Sequence, residues 1–359
     1  MNYRYLEILA STALVDGQVV TIDLDMADPI SELILDLQTT NAADADTDEH
    51  AVGCFPKIEL IDGSDVLFSL DGFETDALDI YHSGKAPRGG NFVYLNNVTA
   101  THEVAISFGR ELWDEELAFD PKHFANPQLR VTFLAGGGGM NVTAGFLTVQ
   151  AALFDEKMIS PIGFLMSKEI KRWIKASTGH EYVELPTDLP YRKMLIQSRY
   201  AGTPPYSIFS NIKLSSDQDK KVILNSDFDK LISGIGRENA YMEERVISRG
   251  ATSPITIHVT PTSYCGLVAS DWMIHADGAG VACYDGDGGR YRYWSEEAAN
   301  VISQISGYAP HGTLCIPFGR QGIIADWFDV GRLGSLKLDI TSGNSSATQK
   351  VFLQQFRPY

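Results

Sequence analysis

One short string occurs twice in this chain, each time inside a run of matched landmarks. Ile106-Ser107-Phe108-Gly109-Arg110 returns as Ile316-Pro317-Phe318-Gly319-Arg320, an offset of 210 from Phe108 to Phe318. Downstream, Leu129-Arg130-Val131-Thr132-Phe133 is matched by Leu336-Lys337-Leu338-Asp339-Ile340 at an offset of 207. Each half then carries one more strand-like run, Phe146–Phe154 and Lys350–Phe356. Upstream, Ile58-Glu59-Leu60 aligns with Ile212-Lys213-Leu214 at an offset of 154, a register that also sets Asp65 against Asp219, Phe68 against Val222 and Leu70 against Leu224. A lone tripeptide repeat would mean nothing, but an ordered set of landmarks implies one fold used twice. Because the offset grows from 154 to 210, the second half holds about 56 extra residues, and insertions of that size map to surface loops.

The landmarks read as strands. Val104, Ile106 and Phe108 alternate with Ala105 and Ser107, and Leu129, Val131 and Phe133 alternate with Arg130 and Thr132. Leu147, Val149, Ala151 and Leu153 alternate in the same way, which puts one side of each strand in a core. Ile30–Leu37 is a further aliphatic run after Pro29, and Lys57–Ile61 and Val66–Leu70 flank a hairpin turn at Asp62-Gly63-Ser64-Asp65. Many short strands punctuated by Gly, Pro and Asp predict an all-β chain of two tandem eight-stranded jelly-roll barrels. Its 359 residues suit two such domains. The expected boundaries are 1–160 for the first barrel with an N-terminal arm and 186–359 for the second, with a large loop insertion about 232–315. Gly163–Ala176 places Phe164, Ile170, Trp173 and Ile174 roughly on one helical face, so 161–185 is expected to be a connecting helix and linker. Phe228–Arg245 is a second, weaker helical segment.

Charge and motifs exclude more than they assign. There are 29 Lys and Arg against 46 Asp and Glu, a net charge of −17, so direct packing on a phosphate backbone is repulsive. No sequence-specific nucleic-acid binding is expected. Cys54, Cys265, Cys283 and Cys315 form no CxxC pair and read as reduced, mostly buried thiols. The N-terminal residues give no signal-peptide pattern, and no apolar run is long enough to span a membrane. No nucleophile elbow, metalloprotease helix or phosphate-binding loop occurs; His258, His275 and His311 stand alone, and no enzyme activity or cofactor is expected. Asp285, Asp287 and Glu296 copy positions 1, 3 and 12 of a calcium loop, but position 6 is Arg290 and position 5 is Gly289. That segment reads as an exposed turn, with calcium the lesser alternative. The glycine of each Phe-Gly-Arg permits a bend at a strand end, and Arg110 and Arg320 are placed to bind a carboxylate or carbonyls there, or simply to face solvent.

Several longer strings resemble the double jelly-roll major capsid proteins of tailless, internal-membrane-containing icosahedral viruses, especially those of small bacteriophages. They are Asp62–Leu70, Phe108-Gly109-Arg110, Asp120-Pro121 through Asn126-Pro127-Gln128-Leu129, and Phe154-Asp155-Glu156-Lys157. Ser160–Phe164, Leu185-Pro186-Thr187-Asp188, Pro190-Tyr191-Arg192-Lys193 and Ser210–Ser215 complete the set, which spans roughly residues 55 to 225. The resemblance implies barrels standing perpendicular to a capsid surface, a homotrimer with six barrels forming a pseudo-hexagonal capsomer, and outward towers built from the insertion. It also implies penton or minor capsid proteins as partners, an internal lipid membrane on the inner face, and a virion location after assembly in the host cytoplasm. Candidate interface anchors are Trp113, Phe119, Phe124, Trp272, Trp294 and Trp327, each with ordinary core packing as the alternative. A lectin-like carbohydrate-binding protein and a minor spike or vertex protein are the competing readings.

Overall fold

A computed structural model describes residues 1–42, 47, 49–86, 91–139, 142–174, 178–235, 241–249, 255–269, 280–282, 288–294, 300–343 and 346–359. The first barrel comprises β1 (Tyr3–Leu14), β2 (Val19–Asp23), β3 (Ile30–Asn41), β4 (Lys57–Asp62), β5 (Asp65–Leu70), α1 (Gly72–Ser83), β6 (Asn91–Tyr94), β7 (Thr99–Ser107), β8 (Pro127–Thr132) and β9 (Val142–Phe154). The second opens with β10 (Gly163–Ile174), β11 (Gly179–Leu185), β12 (Tyr191–Arg199), α2 (Pro205–Ile208), β13 (Phe209–Ser216), β14 (Lys221–Asp227) and α3 (Phe228–Ile235). An insertion follows: β15 (Met242–Arg249), β16 (Ile255–His258), β17 (Ser263–Ala269), β18 (Gly280–Ala282), β19 (Arg290–Trp294) and β20 (Asn300–Tyr308). The chain closes with β21 (Thr313–Pro317), β22 (Leu336–Ser342) and β23 (Thr348–Pro358).

The strand order is the same in both halves. The first barrel has sheets β1-β9-β3-β7 and β2-β8-β4-β5; the second has β10-β23-β12-β21 and β11-β22-β13-β14. Replacing each first-barrel strand by its counterpart turns one pair of sheets into the other. Alternation drives this: along β3, β7 and β22 every second residue is buried, so each sheet turns one face to its barrel interior. Leu33, Leu35, Val104, Ile106, Leu129 and Val149 line one core, and Ile196, Ile212, Leu214, Leu338 and Val351 line the other.

The barrels are not joined by a helix. β5 and β10 pair in parallel, Ser167 opposite Phe68 and Lys168 opposite Ser69, and this merges two sheets into one of eight strands, β2-β8-β4-β5-β10-β23-β12-β21. The predicted connector 161–185 is therefore corrected: its helix is strand β10, and β11 follows. Lys, Glu, Arg, Leu and Met give this segment helical propensity, but pairing with β23 along its whole length overrides it. The second predicted helix ends at Ile235; Met242–Arg249 is a strand whose burial alternates.

The insertion is shared. β6, from the first barrel, pairs in parallel with β15, from the second, inside the sheet β17-β20-β15-β6. A smaller sheet, β16-β19-β18, lies in the same insertion. No helix among the described residues is long and apolar enough to cross a membrane.

Candidate functional site

The two Phe-Gly-Arg strings occupy matching corners. Each follows the strand that pairs with the strand opening at a proline, β3 after Pro29 and β12 after Pro190. The Phe108 amide donates to the Ser31 carbonyl at 3.1 Å, and the Phe318 amide donates to the Arg192 carbonyl at 3.0 Å. Phe119 and Ile30 exchange two backbone hydrogen bonds, as do Phe328 and Tyr191. Phe154 donates to the Pro29 carbonyl and Phe356 to the Pro190 carbonyl, both at 3.0 Å.

The corners differ in burial. Arg110 binds Asp114 through two nitrogens, Nε at 2.7 Å and Nη2 at 2.8 Å, and Nη2 also meets Glu116 at 2.7 Å. Burial alone would raise the Asp114 carboxyl, but hydrogen bonds from the Arg110 side chain and from the Arg110 and Glu116 amides hold it below its usual value. Arg320 pairs with Asp326 while 73% of its side chain stays exposed, against 19% for Arg110. Both glycines sit where a Cβ would strike backbone: that of Gly109 would lie 2.7 Å from the Leu117 carbonyl oxygen, and that of Gly319 would collide with the Asp326 carbonyl oxygen. Gly319 also has φ +66°, which disfavours any side chain.

Where the barrels meet, α1 carries a buried polar seam. Asp71 caps the helix by accepting from the Glu74 amide at 3.0 Å, and the Asp71 amide donates back to the Glu74 carboxyl at 2.8 Å. The Asp71 carboxylate is also gripped by Lys350 of β23 and by Arg172 of β10, the latter at 3.0 Å. Burial works to raise Asp71, yet Lys350 overcomes it and the carboxyl lies below its ordinary value. Burial and the neighbouring Asp71 charge push Glu74 well above its ordinary value. Further along α1, Asp76 meets His311 Nε2 at 2.6 Å, with both side chains almost wholly enclosed. Burial lifts the Asp76 carboxyl to about 8 and drives the His311 ring well below 6.5. Tyr81 donates to the Thr313 carbonyl at 2.6 Å and its own carbonyl accepts from Lys193 at 2.9 Å, tying α1 to β21 and β12.

Beside this seam lies a cavity of about 260 Å³ lined by Phe73, Arg172, Arg199, His258, His311 and Lys350. Its cations are already matched, Arg199 by Glu49, Lys350 and Arg172 by Asp71. Asp71, Glu74 and Glu169 come close enough to hold a metal ion, but Lys350 and Arg172 fill that role. The arrangement ties the two barrels together across α1, β10 and β23.

Of the sequence-predicted residues, Phe119 and Trp327 are buried, at 0% and 4% exposure, so neither can anchor a neighbour, and ordinary packing is the correct reading for both. Phe119 stacks on Phe124 at 4.8 Å, and Trp113 packs against Tyr3, Tyr5 and Phe154 while remaining half-exposed. Trp294 ends β19. Trp272, Asp285, Asp287 and Glu296 lie outside the described residues. Asp71, Asp76, Lys350 and Arg172 were not singled out in the sequence, although Asp71-Gly72-Phe73-Glu74 followed by Gly84 spells a capped helix.

No family model and no curated protein matches this chain. Solved structures do. The STIV MCP, from Sulfolobus turreted icosahedral virus, aligns with TM-score 0.61 at 11% identity, covering 99% of this chain and 97% of that one. The major capsid protein P2 of bacteriophage PM2 aligns with TM-score 0.54 at 10% identity, over 99% and 98% of the two chains. The PBCV-1 capsid structure aligns with TM-score 0.59 at 8% identity, over 99% and 94%. These likenesses establish the double jelly-roll fold.

Proposed function

We propose that this chain is a major capsid protein that builds the shell of a tailless icosahedral virus as homotrimeric, pseudo-hexagonal capsomers. The observation that carries the reading is the pair of like barrels fused side by side through one continuous sheet, a plan matched over nearly the full length of viral capsid proteins. Two barrels per chain give six per trimer, which lets one polypeptide tile a surface with pseudo-sixfold units. The buried chemistry serves cohesion rather than turnover: Asp71, Lys350 and Arg172 neutralise one another across the joint. The shared insertion, β6 with β15 to β20, would form the outward tower. Penton and minor capsid proteins, and a lipid membrane beneath the shell, are the partners this role calls for, with the virion as its location. Trp113 and Phe124 keep some exposed surface and stand, with Trp272 and Trp294, as aromatic candidates for contact with a neighbour.

Native mass spectrometry and sedimentation test this directly. Three chains of 39.5 kDa are expected to travel together, with shell fragments or sheets at high concentration. A chain that stays monomeric at high concentration overturns the proposal.

A further inference from the structure

Within the chain, the edge of β5 is sealed by β10. Among the described residues the corresponding edge of the second barrel, β14, has no strand beyond it, and neither does β1, the first-barrel counterpart of β10. We infer that β14 of one copy joins β1 of the next in parallel, repeating between chains the joint that β5 and β10 make within one. The inference rests on the trimeric capsid reading and names the surfaces that would close it.

The register follows from matched landmarks. Phe154 and Phe356 make the same hydrogen bond to Pro29 and Pro190, and they face Tyr3 and Leu165 across their ladders. Tyr5 then corresponds to Ser167, Leu6 to Lys168, and Glu7 to Glu169, with a bulge directly after Glu7 and after Glu169. On the other side, Leu60 faces Phe68 as Leu214 faces Leu224, again with a bulge at the same place, after Leu60 and after Leu214. The internal pairs Ser167 with Phe68 and Lys168 with Ser69 thus translate into Tyr5 opposite Leu224 and Leu6 opposite Asn225 of the next copy.

Three independent features fit. First, apolar side chains lie bare on these open edges: Tyr5 is 59% exposed, Leu6 37% and Val222 49%, whereas Phe68 in the sealed joint is 3% exposed. An open edge with exposed apolar groups is a template for another strand. Second, the sealed joint carries an ion pair between Arg357 and Asp65, at 3.1 Å through Nη1. Its translated positions are Asp155 and Lys221, opposite in sign with the polarity exchanged. Among the described residues neither has an ion-pair partner in its own chain. Third, the two edges differ from each other, so the contact is head-to-tail, and such a contact must close into a ring or run on indefinitely. Three copies supply six barrels and six equivalent joints, three inside chains and three between them.

The test is a chain carrying Tyr5→Cys and Leu224→Cys, because residues directly opposite on paired strands lie within disulfide reach. After mild oxidation the double variant is expected to run as a covalent trimer under denaturing conditions, while each single variant runs as a monomer. Cys54, Cys265 and Cys315 are buried, and Cys283 is replaced by Ser in every variant to give a quiet background. A wild-type trimer whose double variant fails to cross-link overturns the edge assignment and leaves the capsid reading standing; a monomeric wild type overturns both. Should the double variant not assemble, charge exchange decides. Lys221→Asp is expected to raise the concentration of half-dissociation about tenfold, and Asp155→Lys in the same chain to restore it. No change in the single variant, or no recovery in the double, overturns the edge assignment.

Discussion

The two barrels share every strand, yet the helix that follows the fifth strand of each has a different fate. In the first barrel α1 is enclosed between β7, β12, β21 and the insertion, and it buries Glu74, Thr75 and Asp76. In the second, α3 lies at the rim, burying Phe228, Leu231 and Ile232 and leaving Asp229 and Lys230 to solvent. Asp71 before α1 corresponds to Asp227 before α3, so Asp76 falls where the second barrel has Ile232. The comparison separates two things that duplication couples. The frame is set by alternation and is copied; the polar content of a position is set by what closes over it. A charge can remain inside only where a partner arrives with it. Lys350 is that partner, and the matching ladder position in the first barrel is Thr148.

The largest expected effect breaks this asymmetry at its centre. Lys350→Met leaves Asp71 and Glu74 buried without their ammonium and is expected to cost about 3–5 kcal/mol in denaturant unfolding. Lys230→Met, which touches the ion pair at the start of α3, should leave the transition where it is. Equal responses would show that α1 is no more of a keystone than α3.

Next come the corners. Arg110→Ala removes a bidentate partner from a nearly enclosed Asp114 and should cost about 2 kcal/mol. Arg320→Ala at the matching exposed corner should be silent, and both variants can be read in the same thermal melt.

The smallest effect is a pH dependence. Asp76 and Glu244 are pushed to about 8 by burial, while their unfolded values lie near 4. The folded chain therefore keeps two protons that the unfolded chain sheds, and this stability is lost as pH rises towards 8. His50, His258 and His311 are held well below 6.5 by burial and then by neighbouring cationic groups, so they remove stability as pH falls below about 6.5. Stability should peak near pH 6, and Asp76→Asn should remove about 1.5 kcal/mol of the decline between pH 6.5 and 8. An unchanged slope in that variant would mean Asp76 titrates normally, and α1 would then resemble α3.

Much of the frame was legible because alternation is local. β3, β7, β8 and much of β9 fall on runs whose buried side can be read from every second residue, and β4 and β5 are marked by the turn between them. The duplication was legible too, although the register was two residues off in two strands: Leu129 faces Leu60 and Leu338 faces Leu214, so Leu129 matches Leu338 rather than Leu336. The loop between Ser216 and Lys221 is longer than the turn between Asp62 and Asp65, so Phe68 matches Leu224 rather than Val222. What failed was anything decided at a distance. Lys168, Glu169, Lys171 and Arg172 look helical until β23 supplies a partner strand 11 residues long. Asp71 and Lys350 are 279 positions apart, and no local pattern announces their pairing. His311 reads as an isolated histidine, and only the return of the chain beside α1 sets it against Asp76.

The eight-stranded sheet has a mechanical consequence. A flexible tether would let two domains swivel, but here stress crosses from barrel to barrel through backbone hydrogen bonds and the Arg357–Asp65 clamp. Each polypeptide behaves as a stiff tile. Whatever curvature the proposed shell adopts must be taken up in the grout between tiles, where edges meet without a covalent chain to align them.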